Sequence, residues 1–181
     1  MPGVETRKGI FKYCPSCGKA DIYSVGPKEL RCRVCSFTYF HNVAIGVAAV
    51  LEFGGKIVLL KRGCQPGKGK LDLPGGFAEP QESAEETLKR ELMEELKLEI
   101  KAVRYLGSRP NVYKYEGVVY QTCDLFFHSK IDALPTQWDK EEIAGLLVLA
   151  PADIPCDQIA FQSTKAFLTQ YIATRTGQGT L

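Results

Sequence analysis

The chain has 181 residues, of which 45% are hydrophobic and 24% charged, and its formal net charge is +2 at pH 7. This length and composition predict one medium globular domain with a small appendage. No apolar run is long enough to span a bilayer, and the first residues lack the apolar core of a secretory signal. We therefore expect a cytoplasmic protein that does not bind membranes.

Two C-x2-C pairs near the N-terminus predict a metal site. Fourteen residues separate the pairs, and four thiolates at this spacing suit a tetrahedral Zn²⁺. Two disulfides are an alternative that the missing secretory signal disfavours, and redox pairs would belong at a βα junction, which is absent here. We expect residues 1–41 to form a small zinc ribbon with one structural Zn²⁺ and no open coordination position. The four predicted ligands are Cys14, Cys17, Cys32 and Cys35.

Positive charge is concentrated in the same segment. Residues 1–41 contain seven Lys/Arg and three Asp/Glu, whereas the remaining residues contain sixteen and eighteen. A basic ribbon can contact nucleic acid by neutralising phosphates. The excess is modest, however, and a solvated surface explains it more simply. Nucleic acid is therefore an alternative partner that the charge pattern does not favour.

Residues 42–176 have alternating strand and helix patterns, which predict an α/β domain. An apolar stretch rich in Val and Ala predicts a buried strand, and Gly54-Gly55 predicts the hairpin turn after it. A mixed sheet between helices, an α/β/α sandwich, accommodates the elements. The predicted strands are residues 43–53, 56–62, 71–73, 99–107, 118–128 and 146–150, with a connection at 108–117. Helices are predicted at about 83–96 and after an N-cap at Asp157. Residues 177–181 are predicted to form a loose tail.

The predicted helix at 83–96 has an acidic face. Glu91, Glu94 and Glu95 lie at i, i+3 and i+4, so their carboxylates share an arc of about 100° beside an apolar stripe. Ser83 with Glu86 three residues later predicts a capping box at the helix start. Like charges repel at this spacing, whereas Mg²⁺ or Mn²⁺ attracts carboxylate oxygens and bridges them to phosphates. A solvated, Glu-rich surface helix is the alternative interpretation.

Residues 76–98 have the pattern G-x5-E-x7-R-E-L-x-E-E-x-K-L, directly after the turn Leu73-Pro74-Gly75-Gly76. This segment resembles the Nudix box, G-x5-E-x7-R-E-U-x-E-E-x-G-U with U aliphatic, and departs from it only at Lys97, where the family has Gly. A left-handed residue is usual at that point of a helix end. Lys97 there costs about 1 kcal/mol if its φ is positive. The resemblance independently implies the Nudix α/β/α fold.

The resemblance also implies which groups bind a catalytic metal. Glu91, Glu94 and Glu95 would hold Mg²⁺ or Mn²⁺, and the backbone carbonyl of Gly75 or Gly76 would add a ligand. One of the last two glutamates, Glu94 or Glu95, would be the general base.

Other residues have supporting roles by the same resemblance. Arg90 would orient the carboxylates, and Glu82 would support the loop or an outer metal close to the substrate. Some family members take the general base from a later loop, for which Glu141 and Glu142 are the candidates here. An exposed acidic turn is the alternative interpretation of that pair.

A zinc ribbon before a Nudix domain is similar to the organisation of NADH pyrophosphatases. Those enzymes carry the motif S-Q-P-W-P-F-P-x-S after the box, whereas this chain has Ser108-Arg109-Pro110-Asn111-Val112-Tyr113. Of these, only Ser108 and Pro110 agree with the motif. The resemblance therefore implies the broader class of ADP-ribose and dinucleotide pyrophosphatases.

Further substrate contacts are predicted from side-chain chemistry. Arg62 and Arg109 can clamp phosphate, because a guanidinium pairs with phosphate oxygens in a bidentate way. Tyr113 can stack on a base, as can Phe161. Tyr115 and Tyr120 are further candidates for stacking. Surface solvation of the arginines and ordinary packing of the aromatic rings are the alternatives.

Together these features predict Mg²⁺-dependent hydrolysis of the pyrophosphate in a nucleoside diphosphate linked to another moiety. The partner would be a small-molecule nucleotide such as ADP-ribose, NADH or FAD, and a nucleoside monophosphate would be released. Two alternatives stay open: a nucleotide-sensing or nucleic-acid-binding protein that uses the domain as a binding module, and a hydrolase of NAD-capped RNA ends. Because Nudix relatives are often dimers, a homodimer is also compatible with the sequence.

Overall fold

The computed structural model describes residues 11–175, and the chain divides into two compact units between Val43 and Ala44. The predicted tail at 177–181 lies outside the described residues, as do the first ten residues of the predicted ribbon. No helix within the described part is both long and apolar enough to cross a membrane.

The first unit is built on a small antiparallel sheet in the order β1-β2-β3, with β1 at Ile22–Val25, β2 at Glu29–Cys32 and β3 at Thr38–Phe40. Among residues 11–43 only Cys14, Leu30 and Cys32 are buried. So small an apolar core cannot stabilise a fold by itself, and units of this size depend on disulfides, metals or association.

The second unit contains a six-stranded sheet in the order β6-β5-β4-β8-β7, in which β9 also pairs with β5. The central pair β4–β8 is parallel and the other pairs are antiparallel, so the mixed sheet is confirmed. The strands are β4 at Ala44–Phe53, β5 at Lys56–Arg62, β6 at Leu71–Asp72, β7 at Arg104–Tyr115, β8 at Val118–Lys130 and β9 at Ile143–Leu149.

One helix covers each face of this sheet, which confirms the α/β/α arrangement. Alternate residues of a strand face opposite sides, and β4 accordingly contributes Leu51 to one core and Val50 to the other. Helix α1, Ala84–Leu96, packs Leu92 into the first core, and helix α2, Gln162–Arg175, packs Phe167 into the second. There the Phe167 ring stacks on Phe126 with centroids 4.0 Å apart.

Several predicted boundaries are wrong, including the start of β9, which lies at Ile143 and not at residue 146. The connection predicted at 108–117 is strand up to Tyr115, and the strand predicted at 99–107 begins only at Arg104. Pro110 obscures this strand in the sequence, because proline lacks an N–H donor, but it is tolerated since β7 is an edge strand. Asp157 lies in a 3₁₀ turn and caps no α-helix, and α2 begins five residues later, at Gln162.

The ends of α1 agree with the sequence pattern. Ser83 is the N-cap, and its hydroxyl and the Glu86 side chain form the reciprocal hydrogen bonds of a capping box. Lys97 is the C-cap in the left-handed conformation, with φ 52° and ψ 35°. Its ammonium also donates to the carbonyl of Glu94 at 3.1 Å. The chain therefore places a lysine in a backbone conformation that favours glycine.

We expect Lys97→Gly to raise the free energy of unfolding by about 1 kcal/mol, because glycine adopts this conformation without the steric cost of a Cβ. Urea denaturation measures the change. Lys97→Ala is the matched control, since it removes the same lysine contact but keeps the Cβ. Equal stability of the two variants would contradict the strain argument.

Candidate active site

The turn at Leu73–Gly76 lies between β4 and the acidic face of α1. The Pro74 carbonyl accepts a hydrogen bond from the amide of Ala49, and the Gly76 carbonyl accepts one from Val47, both at 2.8 Å. A Cβ on Gly75 would lie 2.1 Å from the Val47 carbonyl oxygen, and one on Gly76 would lie 2.3 Å from Glu91 Oε1. Both glycines are therefore required by close packing, one against the strand and the other against a carboxylate.

The three glutamates of the Nudix-box pattern, Glu91, Glu94 and Glu95, differ in how deeply they are buried. Glu95 is buried and accepts a hydrogen bond from the Gly75 amide at 2.9 Å. Glu91 has 16% of its side chain exposed, whereas Glu94 has 61% exposed. Glu91 and Glu95 therefore line the site, and Glu94 lies at its outer edge.

The carboxyl groups in this cluster resist ionisation in the absence of a cation. Burial raises the pKa of Glu95 well above its usual value, and the nearby charges of Glu91, Glu142 and Asp72 raise it further against the opposing Gly75 hydrogen bond. Burial likewise raises the pKa of Glu91; Arg90 opposes this shift, and the charges of Glu94 and Glu142 add to it. A divalent cation would replace the protons, because hard cations prefer carboxylate oxygens. The chemistry of these oxygen donors therefore suits Mg²⁺ or Mn²⁺, although among the described residues only the four cysteines have ligand atoms that all lie within 4.8 Å of one another.

Arg90 joins these carboxylates through all five of its N–H donors. It makes a bidentate pair with Glu82, at 2.7 and 3.0 Å, and one nitrogen donates to both Glu91 and Glu94 at 2.9 and 3.0 Å. Its remaining donor bonds the Phe77 carbonyl at 3.0 Å. Hydrogen bonds from Arg90, the Glu79 amide and the Thr87 hydroxyl together lower the pKa of Glu82 to about 2, with Arg90 making the largest contribution. Glu82 thus acts on the site through Arg90 and does not line the cavity.

A cavity of about 410 Å³ opens beside this cluster and has a chemically mixed lining. The lining includes the acidic residues Glu91, Glu95 and Glu142, the last of which precedes β9. It also includes Asn111, Tyr113, Asp124 and Phe161. Both later-loop candidates are exposed, but Glu142 lines the cavity and Glu141 does not.

Arg62 lies in the cavity wall but is largely engaged by the protein. Its Nε donates to the Pro66 carbonyl at 2.8 Å, one terminal nitrogen lies 3.3 Å from Asp72, and the guanidinium lies 4.9 Å from the Phe161 ring centroid. Burial raises the pKa of Asp72 to about 6, although Arg62 opposes the shift. This arrangement indicates that Arg62 positions Phe161 and Asp72 in addition to facing the cavity.

The structure does not bring every predicted contact to the cavity. Arg109 donates to the Ser108 carbonyl and to the Gln170 side chain, so it lies against α2 and outside the lining. Tyr115 and Tyr120 border a second, apolar depression of about 350 Å³. Of the residues predicted to contact substrate, Arg62, Tyr113 and Phe161 share the main cavity.

Sequence reasoning missed several residues of this cavity, among them Asp72, Phe77, Asn111 and Asp124, which carry polar or aromatic side chains. Phe77 follows the two glycines directly, and its ring packs edge-on against Tyr113 with centroids 5.1 Å apart. Asp124 is a lone acidic residue in the middle of an apolar strand, which is the sequence signal that could have found it.

The four predicted zinc ligands lie together in the first unit. Their sulfur atoms are all within 4.8 Å of one another, with Cys14 and Cys35 at 3.7 Å and Cys17 and Cys32 at 3.8 Å. Zn–S bonds of about 2.3 Å in a tetrahedron separate the sulfurs by about 3.8 Å. The amide of Lys19 favours the Cys17 thiolate, but burial and the other three thiols raise the pKa of Cys17 to about 12. A cation bound by the four sulfurs would favour their deprotonated, thiolate forms.

Comparison with known proteins agrees with this geometry. A family model described as NUDIX domain matches residues 40–169. The NAD-capped RNA hydrolase NudC of Pseudomonas fluorescens Pf-5 is 26% identical over 169 residues, which are 92% of this chain and 58% of the relative. The enzyme of the same name from Pseudomonas syringae pv. syringae is 26% identical over 174 residues, covering 96% and 60%. The chain thus spans about three fifths of the length of these relatives.

Solved structures show the same fold. A NUDIX hydrolase from Nitrosomonas europaea superposes with a TM-score of 0.70 at 24% identity, covering 92% of this chain and 93% of that one. The NUDIX domain of Shewanella oneidensis NrtR, solved with ADP ribose, superposes with a TM-score of 0.60 at 21% identity, covering 76% and 90%. Since the family match extends over more than half of the sequence, the chain belongs to the Nudix family.

Proposed function

We propose that this protein is a Mg²⁺-dependent hydrolase of the pyrophosphate bond in a nucleoside diphosphate linked to another moiety, such as ADP-ribose, NADH or FAD. Hydrolysis would release a nucleoside monophosphate. The observation that carries the proposal is that the acidic residues Glu91, Glu95 and Glu142 line the same cavity as the aromatic rings of Tyr113 and Phe161. Such a site can hold a metal-bound diphosphate at one side and a ring at the other.

The charges of the cavity support dependence on a cation. Its lining contains six acidic side chains and two arginines, Arg62 and Arg90. Both arginines already pair with carboxylates. A diphosphate is itself anionic, so it would be repelled from this lining unless divalent cations were present.

Glu91, Glu94 and Glu95 would hold the metal, with a carbonyl of Gly75 or Gly76 as a further ligand. A bound divalent ion neutralises phosphate oxygens and lowers the pKa of a coordinated water. Arg90 fixes two of these carboxylates in position. The remaining requirement is a group that accepts the proton of the attacking water.

Glu95 is our proposed general base, because it faces the cavity and the Gly75 amide fixes its orientation. Glu142 is a second candidate, supported by its position in the cavity lining. Glu94 is less well placed than either, since its side chain is mostly exposed and bonded to Arg90.

NAD-capped RNA is the alternative substrate, suggested by the names of the Pseudomonas relatives. The first unit gives this alternative little electrostatic support. Arg31 pairs with Glu29 and Arg33 with Asp21, so two of its cations are already partly neutralised. A small dinucleotide in the cytoplasm is therefore the substrate class that we favour.

The function is tested by incubating the protein with Mg²⁺ and a panel of ADP-ribose, NADH, FAD and NAD-capped RNA, and measuring released nucleoside monophosphate. We expect Glu95→Gln to lower turnover about 10²- to 10⁴-fold, the usual contribution of a general base. Glu85→Gln is the matched control, because it makes the same change on an exposed position of the same helix. No release from any substrate, or equal activity of the two variants, would refute the proposal.

Stability of the metal-free protein should depend on pH through Glu95. Its raised pKa means that the folded state binds this proton more tightly than the unfolded chain. The resulting stabilisation is complete below the unfolded pKa of about 4.3 and is lost as pH rises through the raised folded value. In EDTA, the melting temperature of wild type relative to Glu95→Gln should therefore fall from acidic to neutral pH.

Saturating Mg²⁺ should abolish that fall, since the cation replaces the proton as the partner of the carboxylate. Thermal unfolding followed by circular dichroism measures both series. A difference in melting temperature that stays constant with pH in EDTA would contradict the assignment.

We also propose that Cys14, Cys17, Cys32 and Cys35 bind one structural Zn²⁺ without an open coordination position. Elemental analysis of purified protein should find one equivalent of zinc, and Cys32→Ser should lose it because three thiolates bind far more weakly than four. Cys64→Ser, which alters a thiol outside the cluster, should keep the metal. Zinc retained by Cys32→Ser would contradict this ligand set.

A further inference from the structure

We propose that Asp124 is a specificity-determining residue that recognises an –NH₂ group on the aromatic ring of the substrate. The ring would lie against the wall formed by Tyr113 and Phe161, and the –NH₂ group would belong either to a carboxamide or to an amino-substituted base. This inference rests on the proposed function, because it concerns substrate selection at the same cavity.

Asp124 lies at the centre of the sheet, on β8, beside β4 and β7. Its register partners are Gly46 in β4 and Arg109 in β7. Its half-buried side chain lines the cavity together with Asn111. An acidic residue in a central strand is costly to bury, so its presence there requires a reason.

Two buried hydroxyl groups fix the Asp124 carboxylate from both sides. Thr122 donates to Oδ1 at 2.7 Å and Ser163 donates to Oδ2 at 2.5 Å. The two donors are only 3% and 1% exposed, respectively. The carboxylate is therefore held in one orientation before any ligand arrives, which is what a selective acceptor needs.

The carboxylate keeps acceptor capacity after these two bonds. An ionised carboxylate has about four lone-pair sites and no donor. Within residues 11–175, no side-chain nitrogen of Lys, Arg or His lies within 4 Å of a carboxylate oxygen of Asp124. Its neighbour Arg109 is directed to Ser108 and Gln170 instead. A ligand N–H would supply the missing donor.

Gly46 keeps this carboxylate accessible. A Cβ at position 46 would lie 2.8 Å from Asp124 Oδ1 and 3.8 Å from the Phe77 ring. The Gly46 backbone is not in the left-handed region, so its conformation alone does not demand glycine. Glycine inside a strand weakens it and often marks a place where a ligand approaches closely.

The aromatic wall determines how a ring can approach. The Tyr113 and Phe161 rings have centroids 5.5 Å apart and planes inclined by 37°, so a third ring cannot enter between them. A substrate ring would stack on the cavity side of this pair, with its edge towards Asp124. A carboxamide or an exocyclic amine at that edge would donate a hydrogen bond to the Asp124 carboxylate. A substrate carboxylate or carbonyl at the same place would instead repel it, because neither has a hydrogen to donate.

A purely structural role is the competing explanation, since Ser163 ties the first turn of α2 to β8 through Asp124. Asparagine at this position separates the two roles. It has nearly the same shape and could keep a hydrogen bond to each hydroxyl, but it presents one acceptor and one donor in place of two acceptors. Asp124→Asn should therefore preserve the fold while changing whether the enzyme prefers a hydrogen-bond donor or an acceptor on the substrate ring.

The experiment compares kcat/KM of wild type and Asp124→Asn for three dinucleotides with Mg²⁺. These are NADH, its nicotinic acid analogue and its hypoxanthine analogue, which exchange the carboxamide for a carboxylate and the purine amine for a carbonyl. For wild type we expect one analogue to be at least about 100-fold poorer than NADH, mainly through KM, because its oxygen would face the Asp124 carboxylate where NADH presents a hydrogen-bond donor. If the nicotinic acid analogue is the poor substrate, Asp124 recognises the carboxamide. If the hypoxanthine analogue is the poor substrate, Asp124 recognises the purine amine.

In Asp124→Asn the same analogue should improve relative to NADH by about 10-fold or more, since the new amide can donate to it. Asp132→Asn, an exposed aspartate outside the cavity, is the control and should leave the wild-type order unchanged. Gly46→Ala is a second variant, expected to reduce NADH affinity by covering the carboxylate. Thermal unfolding verifies that each variant is folded.

Equal kcat/KM of wild type for all three dinucleotides would overturn the inference without any variant. An unchanged substrate order in a folded, active Asp124→Asn would also overturn it and would leave Asp124 as a structural link between β8 and α2. Failure of wild type to release nucleoside monophosphate from NADH, ADP-ribose or FAD is a different result. It would refute the proposed function itself, and the inference with it.

Discussion

The guanidinium of Arg90 holds the acidic face of α1 in one arrangement. Its five N–H donors bond Glu82, Glu91, Glu94 and the Phe77 carbonyl, and so join the helix to the turn that precedes it. Carboxylates this close repel strongly where water is scarce. One delocalised cation with a rigid fork of donors offsets part of that repulsion and fixes the side chains. A divalent cation would relieve the remaining repulsion, which is centred on the buried Glu95.

Close backbone packing places this cluster next to the sheet. Gly75 lies against β4 and Gly76 against the Glu91 carboxylate, at distances that no Cβ could occupy. The same strand, β4, pairs in parallel with β8 and so brings Gly46 beside Asp124. One central strand therefore supports two parts of the cavity lining, the box glutamates through the glycine turn and Asp124 through its neighbour β8. A ligand with a charged centre and a planar end matches this division.

The elements that sequence reasoning located well are those defined by local pattern. The capping box at Ser83 and the left-handed Lys97 specify both ends of α1. The elements it misplaced depend on position in the fold. Pro110 disfavours a strand in isolation, and only the edge position of β7 makes its missing N–H harmless. The start of α2 was missed because Asp157 is a good N-cap residue by chemistry, whereas the chain there forms a 3₁₀ turn.

The amino-acid sequence by itself determined the family, the acidic face of α1 and the four clustered cysteines, because each depends on spacings of a few residues within one helix or one pair of turns. Only the tertiary structure decided which distant side chains share the cavity. It brings Glu142 and Asp124 to the site, engages Arg62 with Asp72 and Pro66, and directs Arg109 to α2. Such contacts join residues far apart in the chain, and they are set by strand order and helix packing, which no local pattern encodes.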